Sequence, residues 1–158
     1  MPSHSKLSPK HWTPPGPTRT SLELVKDPLR IEIPLVVGVG GALGAVARWQ
    51  LATSMSSDTG FPVATFSANI VGSLLLGVVL VLGERFHPRH HRAWARLWRP
   101  FLGTGVLGGF TTFSTLSLEL VQLDVDLAMT YLVASVTLGL LAYAIGNGVT
   151  RRLTGITA

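Results

Sequence analysis

Polar and apolar positions come in blocks along this chain. A polar opening, Met1 to about Arg30, is followed by four long apolar runs: about 31–55, 63–83, 101–123 and 127–149. Each is long enough for an α-helix to cross a bilayer, for which ~20 residues suffice. The pattern therefore predicts an all-α integral membrane domain over residues 31–150 with four transmembrane helices. The opening is proline-rich, carries scattered Lys, Arg and His, and has no apolar period, which predicts a disordered tail. It lacks the apolar run of a secretory signal, so no cleavage is expected. Residues 151–158 make a short basic C-terminal tail.

The third run holds the least helix-like apolar stretch, Gly103-Thr-Gly-Val-Leu-Gly-Gly-Phe-Thr-Thr-Phe-Ser-Thr-Leu-Ser-Leu-Glu119. Two adjacent glycines weaken a helix by about 1 kcal/mol each relative to alanine, and the Thr and Ser hydroxyls compete for backbone hydrogen bonds. A helix interrupted at membrane depth bares carbonyls, which are tolerated only where protein, water or an ion satisfies them. The stretch thus predicts a third helix broken mid-membrane and lining an ion site.

The other runs add packing signals. The first contains Gly38, Gly40, Gly41, Gly44, Ala45 and Ala47, small residues at a spacing that lets another helix backbone approach closely. Arg48, towards its end, is either a topological anchor that snorkels to the interface or the positive charge of a wet vestibule for an anion. In the second run Thr65, Asn69, Gly72, Ser73 and Leu76 share one helical face. Taken alone, Asn69 reads as interhelical glue worth about 1 kcal/mol, although its amide N–H groups can also donate to a dehydrated anion. In the fourth, Tyr131, Ser135 and Gly139 fall on one face at i, i+4 and i+8.

Charge then orients the chain. Charged residues are 13% of the sequence, about half the share usual in soluble domains. A net charge of +5 raises the question of nucleic acid, but apart from Arg48 every Lys and Arg lies in the opening tail, the second connection or the C-terminal tail. By the positive-inside rule those three regions face the cytoplasm, so a multi-pass plasma-membrane protein is expected, with both termini inside and no nucleic-acid partner. His87, His90 and His91 lack carboxylate partners or an i, i+4 pair within their connection, which argues against a metal site. Arginines mixed with Trp94 and Trp98 suit a membrane interface. With no cysteine, disulfides, thiolate metal sites and cysteine nucleophiles are excluded.

No hydrolase or transferase constellation is present: the spans hold no His, no paired carboxylates and no phosphate loop followed by Lys. An enzyme is not expected. Carbonyls freed around Gly108 and Thr111 can coordinate a hard cation such as Na⁺, while the hydroxyls of Ser114 and Thr115 and the edge of Phe113 can face an anion, since an aromatic ring has a positive edge. For a lone Phe, lipid contact or core packing is the simpler reading. Glu119 is the one acid near membrane depth, placed as a cap or vestibule residue.

The run Gly108-Gly-Phe-Thr-Thr-Phe-Ser-Thr115 with Glu119 resembles the third-helix signature of the Fluc/CrcB fluoride-channel family. Gly40-Gly-Ala-Leu-Gly-Ala-Val-Ala-Arg48 resembles its first-helix pattern and Thr65-Phe-Ser-Ala-Asn69-Ile-Val-Gly-Ser73 its second, so the likeness covers about Val36 to Gly148. The resemblance implies an antiparallel dimer of four-helix subunits with two narrow fluoride pores and passive export of fluoride from the cytoplasm. It also implies a central, non-transported Na⁺ held by the backbone carbonyls of Gly108 and Thr111 of each subunit. Asn69, Phe113, Ser114 and Thr115 would line the pores, and Tyr131 and Ser135 would extend a polar track.

Two positions depart from the family pattern. Leu116 stands where a second Phe is usual and offers no positive edge, so the pore to which it contributes is expected to be weakened or reshaped. Gly139 stands where the track would carry a third hydroxyl. Homodimers of opposed subunits need a chain that inserts both ways, whereas here the second connection has five Arg against none on the other face. With paired, oppositely oriented homologues known in the family, the expected partner is an inverted homologue, the alternative being a second copy. Two other functions stay open: a small proton-coupled fluoride or multidrug exporter using Glu119 as coupling acid, and a non-conducting subunit that completes a partner's pore.

Overall fold

The computed structural model describes residues 28–55, 60–85 and 93–155. Most of the opening tail, the three histidines of the second connection and the last three residues lie outside them. The described residues are helical, with no strand among them: α1 (Pro28–Ser54), α2 (Val63–Arg85), the short α3 (Ala93–Arg99), a π-helical stretch Pro100–Leu107, α4 (Gly108–Phe110), α5 (Phe113–Gln122) and α6 (Val125–Thr154). Among the described residues, four segments are long and apolar enough to cross a membrane: Ile31–Ser54, Val63–Glu84, Arg96–Gln122 and Val125–Thr154.

α6 runs past the expected apolar run. Its last turn carries Arg151 and Arg152, cations that suit the negative end of the helix dipole, and it stops at Gly155, whose left-handed φ of 68° lets its N–H close on the Arg151 carbonyl. Hydropathy marks where the membrane ends and not where the helix does. At that end Arg151 also bridges to Glu84 of α2 at 2.9 Å.

Two helix pairs form the scaffold, and both rest on backbone meeting backbone. On α1, a Cβ added at Gly40 would lie 3.0 Å from the Gly105 Cα, and one at Gly44 would lie 2.7 Å from the Phe110 nitrogen. From the facing side, Gly109 sits against the Gly41 carbonyl. Two four-residue glycine spacings, 40/44 and 105/109, therefore interlock. The second pair joins α2 to α6, where Gly77 abuts the Tyr143 carbonyl and Gly146 the Leu74 carbonyl. In a solvent as apolar as leucine, such close contact is the main source of helix association.

Large apolar side chains are left outside. Leu35, Val39, Leu43 and Trp49 of α1 and Val133, Leu140 and Ile145 of α6 are all more than half exposed. Water would penalise a surface this apolar; lipid does not. The buried interior is small and includes Ala68, Val81, Leu107, Leu116, Tyr131 and Ala142.

Candidate functional site

The site is built where α4 ends. The Thr111 N–H and hydroxyl both donate to the Leu107 carbonyl, at 3.0 and 2.9 Å. The chain then leaves the helix: Thr111 has φ −79°, ψ 157° and Thr112 has φ −151°, ψ 125°. Helical geometry resumes at Phe113. The extended residues are thus the two threonines, while Gly108 and Gly109 remain helical. The reason is packing: Gly109 is occupied by its contact with Gly41, and only after that contact is made is the backbone free to turn.

Side chains hold the turn open. In a continuous helix the Thr112 N–H would bond the Gly108 carbonyl, and the Thr115 N–H the Thr111 carbonyl. Instead the Thr112 N–H donates to Asn69 Oδ1 at 2.8 Å, and the Thr115 N–H donates to Thr112 Oγ1 at 3.1 Å, an N-cap on α5. Asn69 Nδ2 donates in return to the Thr112 carbonyl at 3.1 Å. The Gly109 carbonyl accepts Arg48 Nε at 3.3 Å. The break thus takes the helical N–H donors from the carbonyls of Gly108, Gly109, Phe110 and Thr111; that of Gly109 accepts Arg48 instead, and those of Gly108 and Thr111 are among the oxygens that could serve a hard monovalent cation.

A cavity of about 340 Å³ opens beside this turn, lined by Asn69, Gly108, Thr111, Phe113, Leu116 and Ser135 among others. Its walls are largely apolar, with a few polar groups placed in them. Phe113 is 78% exposed whereas Leu116, one turn on, is 5% exposed. The Ser135 hydroxyl is buried and makes no hydrogen bond within the protomer. A buried hydroxyl left so is destabilising by about 1–3 kcal/mol, which makes it a group waiting for an acceptor or donor from outside. Ser73, beside Gly139, lines the same cavity.

A second cavity, of about 410 Å³, collects Arg48, Thr65, Thr115, Glu119 and Gln122. Glu119 is fixed there by two hydroxyls: Thr65 donates to Oε1 and Tyr131 to Oε2, each at 2.7 Å. Tyr131 is fully buried and clamped by Phe61 and Phe66, with ring centroids 5.2 and 6.3 Å away.

The residues singled out by sequence are thus divided. Asn69, Gly108, Thr111, Phe113, Leu116 and Ser135 share the first cavity, while Arg48, Thr115 and Glu119 share the second. Ser114 is exposed, its hydroxyl 3.2 Å from that of Thr112. Tyr131 spends its hydroxyl on Glu119. Sequence reasoning did not find the Thr65–Glu119–Tyr131 network, because its members lie on three different helices. Nor did it single out Thr112 as a cap; a Thr at the mouth of a resumed helix was the available signal.

Among known proteins, the family model described as CrcB-like protein, Camphor Resistance (CrcB) matches residues 35–147. The chain is 40% identical to the fluoride-specific ion channel FluC 2 of Nocardia farcinica over 133 residues, 81% of this chain and 91% of that one. It is 42% identical to the fluoride-specific ion channel FluC of Deinococcus radiodurans over 126 residues (75% and 95%), and 41% to that of Oceanobacillus iheyensis over 114 residues (69% and 84%). The matched range takes in every residue of both cavities named above.

Proposed function

The chain belongs to the CrcB (Fluc) family of channels, a non-enzymatic family of multi-pass membrane proteins, and from that premise we propose that it is a subunit of a fluoride-selective channel through which fluoride leaves the cytoplasm passively. The observation that carries the reading is the interruption at Thr111–Thr112 with Phe113 and Ser135 beside it. It supplies two oppositely charged half-helix ends at one level of the membrane. Carbonyls at the end of α4 present negative potential, and the first N–H groups of α5 present positive potential.

Fluoride is small and strongly hydrated, so a narrow path must replace its water with donors without trapping it. The positive edge of Phe113, the second amide hydrogen of Asn69 and the unpaired Ser135 hydroxyl are donors of that kind, weak and successive. The apolar walls exclude water between them. Arg48 and Glu119 belong to a vestibule, where Arg48 attracts the anion and Glu119 shapes the entrance through Thr65 and Tyr131. Ser114 and Thr115 supply hydroxyls at the head of α5.

The carbonyls of Gly108 and Thr111 of each subunit would hold a structural Na⁺, whose charge satisfies oxygens that the bilayer leaves bare. A second subunit would close both the cation site and the pore wall, a reading supported by the exposure of Gly108 and Phe113. We assign that subunit the opposite orientation. Because the chain's arginine asymmetry fixes one insertion direction, with both termini cytoplasmic, an inverted homologue suits the role better than a second copy. In the exporter alternative Glu119 would be the coupling acid; here Thr65 and Tyr131 donate to its two oxygens.

The test is fluoride efflux from liposomes holding the purified chain, alone and co-expressed with an inverted homologue, with chloride as control and Na⁺ varied. The expected result is fluoride flux without chloride flux and without a pH gradient. Equal chloride flux, or a strict need for a pH gradient, would overturn the reading.

A further inference from the structure

Asn69 satisfies both backbone groups of a residue at the helix interruption, accepting from the Thr112 N–H at 2.8 Å and donating to the Thr112 carbonyl at 3.1 Å. We infer that Asn69 is the positioning residue of the cation site: by pairing with Thr112 it keeps the Gly108 carbonyl out of the helical ladder, so that the cation cage and the pore wall form or collapse together. The inference rests on the reading given under Proposed function and deepens it.

The argument is a competition for one donor. The Thr112 N–H can go to the Gly108 carbonyl, as a continuous helix requires, or to Asn69, and not to both with good geometry. Asparagine has what the task demands, an acceptor and a donor in one rigid amide plane. Its own position is secure. Ala68 beside it is 1% exposed, α2 is locked to α6 through Gly77 and Gly146, and Gly72, three residues on, receives the Thr111 methyl group. One face of α2 therefore grips both extended residues. Without the amide, Thr112 loses two partners, and the nearest replacement for its N–H is the Gly108 carbonyl. That exchange rebuilds the helix and withdraws a cation ligand. The second amide hydrogen of Asn69 still reaches the first cavity, which is how one side chain serves both sites.

The experiment measures the Na⁺ concentration that half-maximally raises the thermal unfolding temperature of the full-length dimer in detergent, at constant ionic strength with a large organic cation as replacement. Flux is recorded in parallel. Asn69→Leu, close in volume, removes both hydrogen bonds and is expected to raise the Na⁺ midpoint about tenfold or more, the equivalent of about one net hydrogen bond. Asn69→Asp keeps the acceptor for the Thr112 N–H and is expected to hold the midpoint within about threefold while reducing fluoride flux, since the donor into the cavity is gone. An Asn69→Leu midpoint equal to that of the natural chain overturns the inference, because a pore ligand or simple interhelical glue would leave the Na⁺ response unmoved. If Asn69→Leu yields no folded dimer, Asn69→Asp decides: a tenfold loss of its Na⁺ response overturns the inference. A natural chain indifferent to Na⁺ overturns the underlying cation reading, a failure visible before any variant is made.

Discussion

Gly44→Ala adds a single methyl group where two backbones already touch. A Cβ there would sit 2.7 Å from the Phe110 nitrogen and 3.0 Å from the Gly109 carbonyl carbon, and closer still to the Val106 carbonyl oxygen. Ordinary contact begins at 3.4 Å, so the Phe110 nitrogen alone must retreat from 2.7 Å to that distance. All three obstacles are backbone atoms, and none can rotate away. The whole stretch from Val106 to Phe110 has to move off α1, drawing Thr111 and Thr112 from Asn69. Overpacking of this kind destabilises by about 1–3 kcal/mol, and rigid obstacles argue for the upper half of that range. Replacing glycine by alanine in a helix returns about 1 kcal/mol, leaving a net loss of about 1–2 kcal/mol, which changes the folded-to-unfolded ratio roughly 5- to 30-fold. Gly38→Ala is the matched control: it lies on the same helix, gains the same propensity, and its Cβ would meet nothing within 4 Å. Thermal unfolding in detergent, read by circular dichroism, should place Gly44→Ala below the natural chain and Gly38→Ala level with it or above. Fluoride flux should fall in the first variant alone. If Gly44→Ala melts with or above Gly38→Ala, the backbone-to-backbone crossing described here is wrong.

Other expected outcomes bear on the two cavities. Thr112→Val removes the α5 cap and should lower stability by about 1 kcal/mol and reduce fluoride flux, with Thr112→Ser restoring both; an unaffected Val variant would deny the hydroxyl its capping role. Thr65→Val and Tyr131→Phe each strip one donor from Glu119, and each should destabilise by about 1.5–3 kcal/mol, the range for hydrogen bonds to a charged group. Because they share Glu119, the double variant should lose less than the sum in thermal unfolding; strict additivity would mean the carboxylate does not link them. Leu116→Phe sets a second ring edge three residues from Phe113 on the same face of α5 and is expected to raise fluoride flux while chloride stays excluded. A lower flux would show that the buried aliphatic side chain is the form this cavity needs.

Much of this architecture can be read from composition and order. Four apolar runs of membrane length have no soluble alternative, and glycines at three- and four-residue spacing announce close packing before any partner is known. The hydroxyl-rich stretch after Gly109 likewise marks where a helix is hard to continue. The residues that actually leave the helix were harder to identify. Propensity points at the glycines, yet Gly108 and Gly109 stay helical and Thr111–Thr112 extend, because Gly41 claims Gly109 and Asn69 claims Thr112. Glu119 was recognisable as a lone acid near membrane depth, but its partners on α2 and α6 were not. Periodicity orders residues around one helix axis and carries no information about which face of another helix lies opposite.

The amino-acid sequence alone therefore determines that this chain enters a membrane, how many times it can cross, and which small and polar residues occupy each helix face, since these follow from transfer free energies and the 3.6-residue repeat. Only the tertiary structure decides which backbone carbonyls are released and which hydroxyls are spent. Each N–H or O–H hydrogen can be committed to one good partner at a time, and the competing partners lie 43 to 61 residues away along the chain, as Asn69 with Thr112, Thr65 with Glu119, and Arg48 with Gly109 illustrate.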